Sequence, residues 1–247
     1  MKKIVSIIAS GLLVMSASAF AGSNAVDPGI EQVRANLKQK YPSTTVSSIT
    51  KAPMGDLYEV VMGKNIAYVD KETKYIMFGH IFDMITQQDL SQARLDELNK
   101  VNFAKLPFDK AIKVKKGNGA RKFAVFTDPD CPYCKQFEAN LASVDNYTMY
   151  VFLFPIAQLH PDARAKSDAI WCSKDKVAAW HDAMLNDKES VSKKCKTPLD
   201  SVAQLGQELG VQGTPTLFNS AGLRAPGAMP AQALEMWLDI QPPNSDK

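Results

Sequence analysis

The chain has 247 residues, a formal charge of +3 and 45% hydrophobic residues. So small a charge, spread over scattered lysines, excludes an extended nucleic-acid footprint, and the densest basic run, Lys113-Val114-Lys115-Lys116, reads as a solvated loop. The length allows one or two domains, with apolar content enough for a sizeable core.

Residues 1–21 read as a secretory leader. Lys2 and Lys3 give the basic start, Ile4 to Met15 the apolar stretch, and Ala19-Phe20-Ala21 a small-residue cleavage site. Cleavage after Ala21 is expected, with Ala19 as the alternative. The apolar run is shorter than the roughly 20 residues that span a bilayer, so the mature protein is expected to be exported, soluble and periplasmic.

A short helix follows over 30–37, with Asp27-Pro28 as its start signal. Strand-like runs at 45–49, 57–62, 66–69 and 75–78, the last continuing toward Met84, are separated by Gly55-Asp56, Gly63-Lys64-Asn65 and Asp70-Lys71-Glu72. A helix plus a small antiparallel sheet cannot bury a convincing core alone, and its last strands carry open edges. Pairing with a second copy resolves both problems. Gly79 sits inside a strand pattern, where glycine marks close backbone approach. The division predicted is a dimerisation domain over 22–85, a linker helix over 86–107 with an imperfect stripe of Leu90, Leu95, Leu98 and Val101, and a second domain over 108–247.

The second domain opens with a strand over 122–128 that runs into Cys131-Pro132-Tyr133-Cys134. A cysteine at the start of a helix faces unpaired N–H groups and the positive end of the helix dipole, which lower its pKa below the ordinary ~8.5 and make it a nucleophile. Cys134 lies one turn on, within reach of a mixed disulfide formed on Cys131, and Pro132 falls where a missing N–H costs nothing. Half of a zinc site is the competing reading, but zinc needs four ligands, and Cys172, Cys195 and the three histidines are not at ligand spacing. No metal and no cofactor are expected. Gly213-Thr214-Pro215-Thr216-Leu217-Phe218 supplies the proline loop and following strand that a thioredoxin-like site places against its first cysteine. Between these come a strand over 148–154, a helical insertion over 161–195 and a helix over 199–210; a closing helix covers 231–240 and a tail expected to lack order covers 241–247.

With Cys131 and Cys134 as a redox pair in an exported protein, Cys172 and Cys195 remain to form a structural disulfide, the alternative being two buried free thiols. Closing a loop of that length stabilises by roughly 3 kcal/mol on the chain-entropy account.

Phe126-Thr127-Asp128 before the Cys-Pro-Tyr-Cys run, Ile170-Trp171-Cys172-Ser-Lys-Asp-Lys176, Gly213-Thr214-Pro215, Tyr68-Val69-Asp70 and Gly79-His-Ile-Phe-Asp83 together make the chain resemble the DsbC/DsbG family of periplasmic protein-disulfide isomerases over essentially all of its mature length. The resemblance implies an α+β homodimer. Each copy has a small antiparallel-sheet dimerisation domain, a linker helix and a thioredoxin fold with a helical insertion, and the two arms face an apolar cleft. It implies misfolded, disulfide-containing exported proteins as substrates and a membrane electron donor of the DsbD type. Cys131 and Cys134 are then catalytic. Pro132 and Tyr133 shape the site or meet substrate. Pro215, in cis, presents backbone to an extended substrate, and Thr214 tunes the site. Trp171-Cys172 and the Cys172/Cys195 pair look like DsbC, whereas Pro132 and Cys134-Lys135-Gln136-Phe137 look like DsbG. Asp130 matches neither branch: either its charge opposes the Cys131 thiolate, or it points to solvent.

Three activities fit: an isomerase with some chaperone-like binding; a DsbG-like reductase of oxidised single cysteines or a net thiol oxidase; and a holdase with incidental cysteines. His80, His160 and His181 are expected to be structural or exposed, and Asp128 to cap the helix.

Overall fold

The structure, a computed structural model, describes residues 27–190 and 194–240. The expected leader and the 241–247 tail lie outside them. The chain divides into two compact units, residues 1–63 with 67–78 and residues 64–66 with 79–247.

In the first unit, α1 (Pro28–Lys40) is capped by Asp27, whose carboxylate accepts the Gly29 N–H at 2.8 Å, and Pro28 opens its first turn. Four strands follow, β1 (Ser48–Lys51), β2 (Leu57–Met62), β3 (Asn65–Asp70) and β4 (Ile76–Met77), joined in the order β1-β2-β3-β4. Val33 and Leu37 of α1 pack with Ile49, Tyr58, Val60 and Val69 of the sheet. Gly29 is required at that contact, because a Cβ there would come within 1.8 Å of the Tyr58 hydroxyl. The strand expected at 45–49 starts three residues later. The one expected over 75–78 and onward is reduced to β4, whose neighbours Tyr75 and Phe78 are exposed, as are Ile76 and Met77 themselves.

Gly79 lies outside the strands, and a Cβ there meets nothing within 4 Å, so no close approach inside the protomer explains it.

The second unit starts with a two-stranded hairpin, β5 (Phe82–Asp83) and β6 (Gln88–Asp89), followed by α2 (Leu90–Leu98). The helix expected over 86–107 is therefore much shorter. Asp83 Oδ1 accepts the N–H groups of Ile85 and Thr86 at 2.8 and 3.1 Å, and Gln87 has φ 57°, so 83–88 is a turn. At the far end Asn99 closes the helix on the Leu95 carbonyl, and Val101 sends its N–H to Gly222 O at 3.0 Å. Gly222 permits that approach: a Cβ would lie 2.1 Å from Val101 O.

The main sheet has the order β11-β10-β8-β9-β7 from β7 (Ile112–Lys116), β8 (Arg121–Thr127), β9 (Tyr147–Leu153), β10 (Thr216–Asn219) and β11 (Arg224–Pro226). The central pair β8–β9 is parallel and the outer pairings are antiparallel. Five helices accompany it: α3 (Pro132–Asn140), α4 (Ala163–Trp171), α5 (Lys176–Leu185), α6 (Leu199–Leu209) and α7 (Ala231–Leu238). The run 113–116, expected to be a loop, is strand: Ile112 and Val114 are buried while Lys113 and Lys115 are exposed, the period of two that an edge strand shows. The insertion expected as one stretch over 161–195 is two helices, α4 and α5.

Strand β8 is continuously apolar and buried from Phe123 to Phe126 because both of its faces are covered there. Phe123 and Val125 join one core with Phe137, Trp180, Leu234 and both active-site cysteines. Ala124 and Phe126 join the other, where Phe126 stacks on Phe152 at 5.0 Å and meets Phe218 edge-on at 6.0 Å. Each such phenylalanine contributes about 1.5–3 kcal/mol through burial. The end of β8 is thereby held rigidly, and the site is built on that end.

Candidate active site

Beyond Thr127 the ladder stops at Asp128-Pro129, where proline has no N–H to offer. The Asp128 carbonyl accepts the Cys131 N–H at 3.1 Å, turning the chain so that Cys131 caps α3 with Pro132 in its first turn. The Cys131 carbonyl then accepts the N–H groups of Cys134 and Lys135 at 3.0 and 3.2 Å. Both sulfurs are sheltered: Cys131 is 5% exposed and Cys134 is fully buried. Both are free thiols, Pro132 is exposed, and Tyr133 is 68% exposed beside them.

The second wall comes from a loop 83 positions further along the chain, brought in by strand pairing. Thr216 of β10 lies opposite Phe126 of β8, which sets Thr214 and Pro215 beside the start of α3. The Thr214–Pro215 peptide is cis, and the Thr216 hydroxyl donates to Gly213 O at 2.7 Å, pinning the loop. The protonated Cys131 Sγ donates to the Thr214 carbonyl at 3.4 Å. Pro215 behaves differently from expectation in one respect. Its carbonyl accepts the Gly227 N–H at 2.9 Å, so its backbone is engaged within the domain, and Thr214 is the loop residue that touches the cysteine.

The electrostatics separate the two thiols. The Cys131 pKa is lowered to about 5, first by the hydrogen bond from the Cys134 thiol, then by the Thr214 hydroxyl and the N–H groups of Cys134 and Tyr133, against the opposing effect of burial. Cys134 is pushed up, by burial first and then by its bond to the Cys131 sulfur. The arrangement therefore holds a thiolate outermost and a protonated thiol beneath it.

Asp130 does not point to solvent: its side chain is only 19% exposed and is paired. Its Oδ1 accepts a hydrogen bond from Lys166 Nζ at 2.7 Å, and Lys166 also lies 3.6 Å from Glu189, so a cation on α4 offsets the carboxylate next to the cysteine. Asp128 also departs from expectation, since α3 is capped by Cys131. The buried Asp128 carboxylate instead accepts the N–H groups of Asp130 and Ile156 at 2.8 and 2.7 Å and lies 3.0 Å from His160 Nδ1. From the sequence His160 reads only as structural or exposed, and nothing singles out Lys166. Each stands more than 25 positions from its partner, and no local pattern signals such a pairing.

A family profile described as a thioredoxin-like domain matches residues 108–241, and one described as the disulfide bond isomerase protein N-terminal domain matches residues 19–92. The chain is 38% identical over 213 residues to the probable thiol:disulfide interchange protein DsbC of Bordetella pertussis, covering 86% of this chain and 75% of that protein. The chain belongs to the DsbC family of thiol:disulfide interchange proteins.

DsbC of Escherichia coli strain K12 is 28% identical over 225 residues, covering 90% of this chain and 92% of that protein. A crystal structure of a disulfide interchange protein from Neisseria gonorrhoeae superposes with a TM-score of 0.52 at 42% identity, covering 54% of this chain and 96% of that one. In this DsbC-family chain Cys172 and Cys195 are joined in a disulfide with Cα atoms 5.7 Å apart. The bridge ties the end of α4 to the segment before α6. Among the described residues no cluster of histidine, cysteine or carboxylate side chains could hold a metal ion, and no helix is long and apolar enough to cross a membrane.

Proposed function

We propose that the protein is a periplasmic thiol:disulfide interchange enzyme that isomerises or reduces wrong disulfides in exported proteins through a mixed disulfide on Cys131. The observation that carries this reading is the division of the two thiols, a stabilised thiolate at the helix start and a buried thiol one turn beneath it. The Cys131 thiolate attacks one sulfur of a substrate disulfide. A bond to Cys131 forms as the substrate bond breaks, and the other substrate sulfur leaves as a thiolate. That thiolate attacks a second substrate disulfide, and a substrate thiolate finally displaces Cys131, so no net electrons move. If the substrate stalls, Cys134 gives up its proton and attacks Cys131. The substrate then departs with two more electrons and the enzyme is left oxidised, which a membrane dithiol donor of the DsbD type reverses.

In this reading Thr214 meets the extended substrate beside Cys131, Pro215 holds the loop, and Pro132 and exposed Tyr133 form the rim. The 22–85 portion dimerises, 86–107 connects, and 108–247 carries the chemistry, after removal of a leader ending at Ala21. The dimer is supported by β4, whose second edge has no partner among the described residues and whose Ile76 and Met77 are exposed.

The test is reactivation of a scrambled multi-disulfide enzyme in glutathione buffer by the mature protein and by Cys131→Ser. Recovery that the variant loses supports isomerisation. No recovery, with Cys131 still exchanging on a simple disulfide, replaces isomerisation by the dedicated reductase or oxidase reading.

A further inference from the structure

His160 stands in the loop between β9 and α4, with its side chain 21% exposed and Nδ1 3.0 Å from Oδ2 of Asp128. The Asp128 side chain is fully buried, and a carboxylate in that position is costly without a cation beside it. The backbone of the same aspartate holds both cysteines: its carbonyl accepts the Cys131 N–H, and its N–H faces the Cys134 sulfur. One residue thus connects the imidazole to the redox pair. The groups facing His160 are Asp128 from the end of β8, Asp130 from the turn and Cys131 from the start of α3, all favouring its charged form. From α4, Lys166 is occupied by Asp130 and Glu189, and Asp162 is exposed two residues beyond the imidazole.

We propose that His160 is a positioning residue for the interchange reaction: fixed by Asp128, its protonated imidazole supplies the positive charge that stabilises the Cys131 thiolate over the buried carboxylate. The two groups are then linked. Loss of the imidazole charge makes Cys131 harder to ionise, and loss of the thiolate makes His160 easier to deprotonate, because coupling between two sites is reciprocal. The inference rests on Cys131 being the nucleophile.

Two measurements on the full mature protein test it. In the first, iodoacetamide alkylation of Cys131 is followed from pH 4 to 9 in the parent and in His160→Gln, which retains an amide N–H for Asp128. The variant is expected to react about five-fold more slowly at pH 5 and equally fast at pH 8, the pattern of a thiolate population reduced only where it titrates. In the second, the His160 ring is titrated by NMR in the dithiol form, in the Cys131–Cys134 disulfide form and in Cys131→Ser. A higher midpoint in the dithiol form than in the other two is expected. A residue that merely balances Asp128 would titrate identically in all three. That result, or superimposable alkylation profiles, overturns the proposal while leaving Cys131 as nucleophile. A parent protein with no reactive thiolate below pH 7 overturns both readings together.

Discussion

Trp180 Nε1 donates a hydrogen bond to Glu138 Oε1 at 3.2 Å inside the core that backs α3. Glu138 is 5% exposed, and burial raises its pKa from 4.5 to about 7, with the Trp180 bond only partly opposing. An acid whose pKa is raised on folding binds its proton more tightly in the folded state. Its contribution to stability is therefore greatest below pH 4.5 and is lost as pH rises to about 7, amounting to about 3 kcal/mol. Glu138→Gln keeps an acceptor for Trp180 and removes the titration. Urea unfolding of the variant should vary less between pH 5 and 8 than that of the parent, with the variant more stable at pH 8. A parallel dependence in both proteins would refute the assignment.

Cys134 lies one turn beneath Cys131 with its proton retained, so its part comes after the first attack. Cys134→Ser should still attack substrate disulfides but should lose the intramolecular escape. Mixed disulfides with substrate are expected to accumulate at least several-fold over the parent on non-reducing gels. An equal yield of adducts in the two proteins would mean that Cys134 does not resolve them.

The Cys172–Cys195 bridge closes a loop of 23 positions around α5. Replacing both cysteines by alanine should lower unfolding stability by roughly 3 kcal/mol. Because the free pair takes no part in the bridge, the alkylation rate of Cys131 in the folded variant should stay within about two-fold of the parent. A change in Cys131 reactivity with stability unaltered would reverse the roles assigned to the two cysteine pairs.

Ile76 and Met77 face outward from a strand that pairs with β3 on one side only among the described residues. Light scattering should find the parent as a dimer and Ile76→Lys/Met77→Lys as a monomer, since charge at an edge opposes strand addition. Gly79→Arg provides a second variant with little cost to the protomer, because a Cβ at that position meets nothing within 4 Å. Dimers in both variants would place the interface elsewhere.

Much of the second unit is legible because its signals are local. Cys131 and Cys134 share one helical turn, Pro132 marks the start of that turn, and the apolar run before it is a strand buried on both faces. The failures occur where a short pattern is ambiguous. Lys113 to Lys116 reads as solvated because three of the four residues are charged, yet Val114 alternates with them and pairs with Met149 of β9. A leucine stripe predicts a helix from 86 to 107. The turn at Asp83 and the bond from Val101 to Gly222 shorten it at both ends.

The sequence by itself determined which atoms can do chemistry: two thiols at i and i+3, a proline at the helix start, and a second cysteine pair left for a bridge. These follow from backbone geometry over a few residues, which the order of the side chains specifies directly. Tertiary structure alone decided how those atoms are tuned. Thr214 reaches Cys131 because β10 pairs with β8, Lys166 reaches Asp130 from α4, and His160 reaches Asp128 from the loop after β9. Electrostatic effects act through space at a few ångströms, and only folding brings charges so far apart in the chain to that distance.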